Sequence, residues 1–218
     1  MSRPAAILFD LDGTLLDTAP DLGAALNRVL RAEQRPLVSA SDYTPIASHG
    51  SAGLLRFAYG EAEFEQRKDE LRHKFLSFYS EAIAEQTQLF AGVSELLAQL
   101  QQQQIPVAIV TNKPTALTVQ LLPSFPELAA IEVVVCGDTL AVAKPSPQPL
   151  LHATQALQVV ADDCWYVGDA ERDIQAGRAA GMRTIVANYG YISAIETPTA
   201  WGADSFIETP LELLDLLT

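Results

Sequence analysis

Hydrophobic positions along the chain follow two alternating rhythms. Short unbroken apolar runs occur at residues 5–9, 107–110, 131–135, 165–167 and 184–187, with a weaker one around Phe206. Between them lie segments in which apolar residues return every three or four positions: 93–103, 115–122, 149–157 and 171–180, the last followed by Gly181, which suits a helix C-cap. Unbroken apolar runs bury both faces of a strand, and such strands separated by helices build a parallel sheet covered on both sides. The pattern predicts an α/β fold with a doubly wound, Rossmann-like parallel sheet as its core.

One stretch departs from the alternation. From about Asp17 to Phe90 no strand pattern is visible, whereas Leu22, Ala25, Leu26, Val29 and Leu30 mark one amphipathic helix and Leu71, Phe75, Phe78 and Ala82 mark another. A structureless loop of that length is improbable in a compact domain. The expected organisation is therefore a core of residues 1–16 and 91–218 with an all-helical cap inserted at 17–90. Its hinges are expected near Asp17 and between Phe90 and Gly92.

Composition narrows the partners. The chain has 218 residues, 49% hydrophobic and 19% charged, as an ordinary globular protein does. Its 14 Lys and Arg against 27 Asp and Glu give a net charge of -13, with no basic run to follow a phosphate backbone, which argues against nucleic acid. An anionic ligand must then be captured by donors concentrated in one site, because the field of the whole molecule repels it. The opening apolar run is too short for a secretory signal and no stretch is long enough to span a bilayer, so a cytoplasmic protein without a membrane partner is expected. Cys136 and Cys164 lie in apolar runs and are expected as buried core thiols.

Four polar clusters follow apolar runs: "DLDGT" at 10–14, "TNK" at 111–113, "KPSP" at 144–147 and "GDAERD" at 168–173. Ligands of open parallel sheets bind beyond the carboxyl ends of the strands, so folding would gather these clusters into one cleft. Asp10 and Asp12 stand two positions apart, on one face of an extended chain, and repel each other unless a cation lies between them. Asp10, Asp12 and Asp169 offer only oxygen ligands, which suits a hard cation such as Mg2+. Gly13 permits a sharp turn whose N–H groups could cradle an anion, Thr14 and Thr111 could donate to phosphoryl oxygens, and Lys144 supplies a compact positive charge. A carboxylate nucleophile, a divalent metal, a lysine and anion-binding amides suit phosphoryl transfer through an aspartyl-phosphate, with Asp12 as acid and then base. Taken singly, Thr111 could be a helix cap, Asp173 a first-turn acid and Lys144 a surface residue. Their joint order is what carries weight.

These motifs resemble those of the haloacid dehalogenase-like hydrolases, in order and spacing, across essentially the whole chain. The resemblance implies Asp10 as nucleophile and Asp12 as general acid and base. It also implies Mg2+ on the Asp10 carboxylate, the Asp12 backbone carbonyl and Asp169, with Asp173 in support. Thr111, Asn112 and Lys144 would hold the phosphoryl group. "TAPDL", "TNKP" and "GDAERDIQAGRAAGM" are similar to bacterial phosphoglycolate phosphatases, and "YGYI" with "WGAD" and "TPLEL" to phosphatases of N-acetylmuramic acid 6-phosphate. The implied partner is a small phosphorylated metabolite. Two alternatives stand beside it: a sugar phosphomutase of the same family, and a receiver-type phospho-switch. The motifs leave the rest of the substrate unread, so its reader is expected in the cap, at a sharp turn "SHGSAG" bearing His49 and Ser51.

Overall fold

The computed structural model describes residues 3–217. In chain order its main elements begin with strands β1 (Ala6–Phe9) and β2 (Leu16–Asp17). Helices α1 (Ala19–Ala32), α2 (Ala40–Tyr43), α3 (Gly50–Tyr59) and α4 (Glu61–Glu81) follow, then β3 (Gln88–Leu89) and α5 (Val93–Gln102). The chain continues through β4 (Val107–Val110), α6 (Thr115–Leu121), β5 (Val133–Val135), α7 (Gln148–Leu157) and β6 (Cys164–Gly168). It ends with α8 (Glu171–Ala179), β7 (Arg183–Ala187), β8 (Ser205–Ile207) and α9 (Glu212–Asp215).

Six strands form one parallel sheet in the order β5-β4-β1-β6-β7-β8. Strand β1 lies inside it, with Phe9 opposite Ile109 of β4 and Val167 of β6. Its alternating side chains feed two separate cores. Ile7 and Phe9 pack with Ile109, Trp165 and the α5 residues Leu96 and Leu100, while Ala6 and Leu8 pack with Val110, Tyr166, Leu150 and Ala176. All these residues are buried, which is why β1 reads as an unbroken apolar run. Gly181 closes α8 as expected. It has φ +78°, and the amides of Gly181 and Met182 donate to the carbonyls of Arg178 and Gly177, the paired bonds of a left-handed helix end. Cys136 and Cys164 are buried free thiols, and among the described residues no helix is long and apolar enough to cross a membrane.

The helical insertion is present, and its two ends differ from the expectation of a strand-free segment. β2 and β3 pair antiparallel, Leu16 with Leu89 and Asp17 with Gln88. Strands of two residues are too short to show a period, so the pattern could not reveal them. Asp21, buried near the start of α1, accepts from the amides of Gln86 and Thr87 and from the Thr87 hydroxyl, and so fixes the returning chain. Phe90 then packs against Tyr189 and Tyr191, and Tyr191 Oη lies 2.7 Å from Asp17 and accepts from the Ala19 amide.

The "SHGSAG" stretch is likewise different from the sharp turn expected. Residues Thr44–His49 form a 3-10 helix, Gly50 breaks it at φ +61°, and α3 begins at once. Helices α1 and α4 form the body of the insertion, with Leu26, Val29, Phe64, Leu71, Phe75 and Tyr79 buried in a core continuous with the sheet. The outer side of α4 carries ion pairs. Glu33 takes Arg67 and Lys74, and Glu70 takes the same two cations.

Candidate active site

Because β4, β1 and β6 are neighbours in register, the residues after them emerge side by side. Asp10 follows β1, Thr111 follows β4 and Asp169 follows β6. Asp173 stands in the first turn of α8, where its Oδ2 accepts from the Ala170 amide at 3.0 Å. Carboxylate oxygens of Asp10, Asp169 and Asp173 all lie within 4.8 Å of one another, and all three side chains are buried.

Lys144 reaches this group from the crossover between β5 and β6. Its Nζ lies 2.9 Å from Asp10 and 2.8 Å from Asp173, and it donates to the Val110 carbonyl and the Tyr166 hydroxyl. With its side chain fully buried, Lys144 sits behind the carboxylates and does not line the cavity in front of them. Asn112 holds the backbone of Lys144 on both sides, donating to its carbonyl at 2.9 Å and accepting from its amide at 3.0 Å.

The cationic side chains of the protein divide between Asp10 and Asp12. Asp10 faces Lys144, with Arg172 3.9 Å away, whereas Asp12 turns to its own partner, Lys113, at 2.8 Å and accepts from the Thr18 hydroxyl at 2.7 Å. The chain turns immediately after β1, so the two side chains no longer share a strand face. The Asp12 carboxylate is thus outside the cluster formed by Asp10, Asp169 and Asp173. Lys113 also donates to Tyr79 of α4, and so links the core to the insertion. Burial alone would lower the Lys113 ammonium, but Asp12 and Tyr79 outweigh it and hold it above its ordinary value.

Gly13 and Thr14 shape the turn after β1. Their amides donate to the carbonyls of Leu16 and Leu11, so they are committed to the turn. Gly13 has φ +85°, and a Cβ there would fall 2.1 Å from an Asp169 oxygen, so glycine lets Asp169 come close. The Thr14 hydroxyl also faces Asp169, at 3.4 Å. The Thr111 hydroxyl accepts from the Lys113 amide at 3.1 Å and borders the cavity. It does not cap α6, whose first amide, on Thr115, donates to Asp138.

Asp169 has hydroxyl and amide partners in Ser48, Thr14 and Tyr191, but no cation within ion-pair distance among the described residues. Burial, together with the charges of Asp10 and Asp173, pushes its carboxyl up to about 7. Burial also raises Asp10, against the pull of Lys144. Asp173 is held below its ordinary value because Lys144 and Arg172 outweigh its burial. Three buried carboxylates therefore face two cations, Lys144 and Arg172. An all-oxygen donor set with a surplus negative charge fits a hard divalent cation.

A cavity of about 620 Å3 lies in front of the cluster, between core and insertion. Asp10, Asp12, Thr111, Asn112, Lys113 and Arg172 line its floor; Ser48, His49, Ser51, Arg56, Arg72 and Tyr79 line its roof. Burial, reinforced by the charge of Arg172, keeps the His49 imidazole below its ordinary value, which favours the neutral ring. In a chain of net charge -13, four Lys or Arg side chains border this one cavity.

The model of the haloacid dehalogenase-like hydrolase family matches residues 7–187, which includes every one of the four motifs. This chain belongs to that family. A phosphoglycolate phosphatase of Xanthomonas campestris pv. campestris is 42% identical over 213 residues, covering 98% of this chain and 96% of that one. An N-acetylmuramic acid 6-phosphate phosphatase of Pseudomonas aeruginosa is 35% identical over 215 residues, covering 99% and 95%. The crystal structure of a predicted phosphoglycolate phosphatase from Haemophilus somnus superposes with a TM-score of 0.87 at 26% identity, covering all of both chains. Membership in a hydrolase family sets aside the receiver-type alternative.

Sequence reasoning missed several residues of this hydrolase's cavity. Lys113 stood inside a recognised cluster without a role, and Arg172 inside "GDAERD". Ser48 stood inside "SHGSAG" without a role of its own, and Arg72 and Tyr79 carry no local signal, since only the tertiary fold brings the insertion against the strand ends.

Proposed function

We propose that this hydrolase is a Mg2+-dependent phosphatase of a small phosphomonoester, acting through an aspartyl-phosphate on Asp10. The observation that carries the reading is the setting of Asp10. It is the one member of the buried carboxylate cluster that also borders the cavity, and Lys144 fixes it from behind. A carboxylate oxygen of Asp10 attacks phosphorus as the ester P–O bond breaks, and Asp12 gives its proton to the departing alkoxide. Asp12 then takes a proton from water, the water oxygen bonds to phosphorus, and the acyl-phosphate bond opens to release inorganic phosphate and restore Asp10. Lys113 and Thr18 hold Asp12 in place, and Thr111, Asn112 and Arg172 border the space where the phosphoryl group would lie. Asp10, Asp169 and the Asp12 carbonyl would hold Mg2+, with Asp173 in support; when bound it supplies charge neutralisation between nucleophile and phosphate.

The insertion, taken as residues 17–90, acts in this reading as a cap that excludes water from the site and reads the rest of the substrate, with His49 and Ser51 in its roof. Relatives at 42% identity favour phosphoglycolate as substrate. A second reading, N-acetylmuramic acid 6-phosphate, is favoured by the cavity, whose 620 Å3 exceeds what a two-carbon ester fills. The test is phosphate release from both esters with Mg2+, then with EDTA, then with Mg2+ restored. Release that is lost in chelator and recovered with Mg2+ is expected. Full activity in EDTA would refute the metal site, and release only from phosphoproteins or nucleic acids would refute the small substrate. A requirement for a bisphosphate activator without phosphate release would mark a mutase instead.

A further inference from the structure

Among the basic side chains around the cavity, Arg72 stands alone in having no counter-ion. Arg56 is paired with Glu61 and Glu65, Lys113 with Asp12, and Arg172 stands 3.9 Å from Asp10. Arg72 makes no hydrogen bond or ion pair among the described residues, and its Nε is buried without an acceptor. Among the described residues the only carboxylates lining the cavity are Asp10 and Asp12, both facing other cations. A buried guanidinium N–H without a partner is costly, and a cavity wall is where a ligand can satisfy it.

Its position along α4 adds a distance. Arg72, Phe75, Leu76 and Tyr79 all line the cavity, at the spacing of one helix face. Tyr79 marks the catalytic end, because its hydroxyl takes the hydrogen bond from Lys113, which in turn holds Asp12. Seven residues of helix separate Arg72 from Tyr79, about 10 Å along the axis. The wall between them, Phe75 and Leu76, is apolar. An anion on Arg72 is therefore remote from a phosphate on Asp10, separated from it by an uncharged body.

We infer that Arg72 is a specificity-determining residue that binds a carboxylate carried on the leaving group, about a sugar ring's width from the phosphate. The inference rests on the phosphatase reading above and narrows its substrate class to phosphorylated sugar acids. A planar guanidinium offers a carboxylate two parallel hydrogen bonds. Both substrates in the names of the relatives carry a carboxylate, but in phosphoglycolate it lies too close to the phosphate to span that face of α4.

The test compares N-acetylmuramic acid 6-phosphate with N-acetylglucosamine 6-phosphate, which lacks the lactyl carboxylate. The ratio of their kcat/KM values in Arg72→Gln should fall about 10- to 100-fold from that of the unaltered chain, the worth of a charge-assisted hydrogen bond or two. Arg72→Lys, which keeps the charge, should retain part of the preference and guards against a mere folding defect. The same preference is read without turnover by calorimetric titration of both esters into Asp10→Asn protein, with and without Arg72→Gln. An unchanged ratio in Arg72→Gln, or loss of a phosphoglycolate preference in place of the sugar-acid one, would overturn the inference. A binding preference that Arg72→Gln erases, in a chain that releases phosphate from no small phosphomonoester, phosphoglycolate included, would support Arg72 while overturning the phosphatase reading.

Discussion

Charges in the core and charges in the insertion are organised in opposite ways. At the strand ends, Asp10, Asp169, Asp173 and Lys144 are all buried, and each is held by backbone groups or by another member of the set. On the insertion, Glu33, Glu63, Glu70, Arg67 and Lys74 form a similarly connected network, but on side chains that are 15% to 49% exposed. Water and salt screen the second network, whereas the first stands where an uncompensated charge is expensive. The lesson is that the number of ion pairs says little; the environment of each decides whether it stabilises a surface or prepares a reaction.

That contrast can be broken by substitution. The largest expected effect is on turnover: Asp10→Asn should lower phosphate release by roughly three or more orders of magnitude, as loss of a nucleophile does, with little change in thermal stability. Activity near that of the unaltered chain would show that the buried cluster is structural only. Next comes Lys144→Met, which leaves Asp10 and Asp173 facing each other. It should destabilise the fold by about 3 kcal/mol in a denaturant titration without added metal. A cost similar to that of a surface pair would erase the distinction between the two networks.

Tyr79→Phe sharpens the comparison from the side of the insertion, because its hydroxyl joins a cap helix to the lysine that holds Asp12. Removing one such hydrogen bond should reduce kcat about fivefold, while the fold is kept. The smallest effect is expected at Glu33, whose carboxyl is lowered to about 2 by its hydrogen bonds with Arg67 and, after its partial burial is offset, Lys74 and Tyr59. A lowered value means that its contribution is present above the ordinary 4.5 and fades as the pH falls toward 2. Thermal melts of Glu33→Gln should therefore lie below those of the unaltered chain at pH 6 and converge with them near pH 2. Screening should keep the difference at or below about 1 kcal/mol.

The same division explains what could be read in advance. The carboxylate cluster was legible because Asp10, Asp169 and Asp173 each follow an apolar strand within a few positions, so "DLDGT" and "GDAERD" name both the strand end and the side chains beyond it, whereas Lys144 lies nine positions beyond β5. Strand and helix positions in the core follow the apolar rhythm closely for the same reason. The paired strands at Leu16–Asp17 and Gln88–Leu89 were not legible, since two residues show no alternation and their pairing partner lies far along the chain. Helix α3 was hidden by its glycines at 50 and 53, which read as a turn. The bonds by which the Gly13 and Thr14 amides close the turn, and the close approach of Asp169 to Gly13, were not legible, because no local pattern expresses them. Arg72 looked like one more polar residue on an amphipathic helix until the sheet supplied the opposite wall.

The short ribbon of β2 and β3 has a consequence for how this architecture can be altered. It brings Asp17 and Gln88 level with each other, at the roughly 5 Å separation of an antiparallel pair. Two chain positions that close can be bridged by a hairpin turn of two residues, so the segment between them is topologically a cassette. A shortened chain carrying such a turn would leave all six strands of the parallel sheet in their order, and a different helical segment could be spliced at the same two positions. Chemistry and selectivity would then be exchangeable parts, joined at a single clasp.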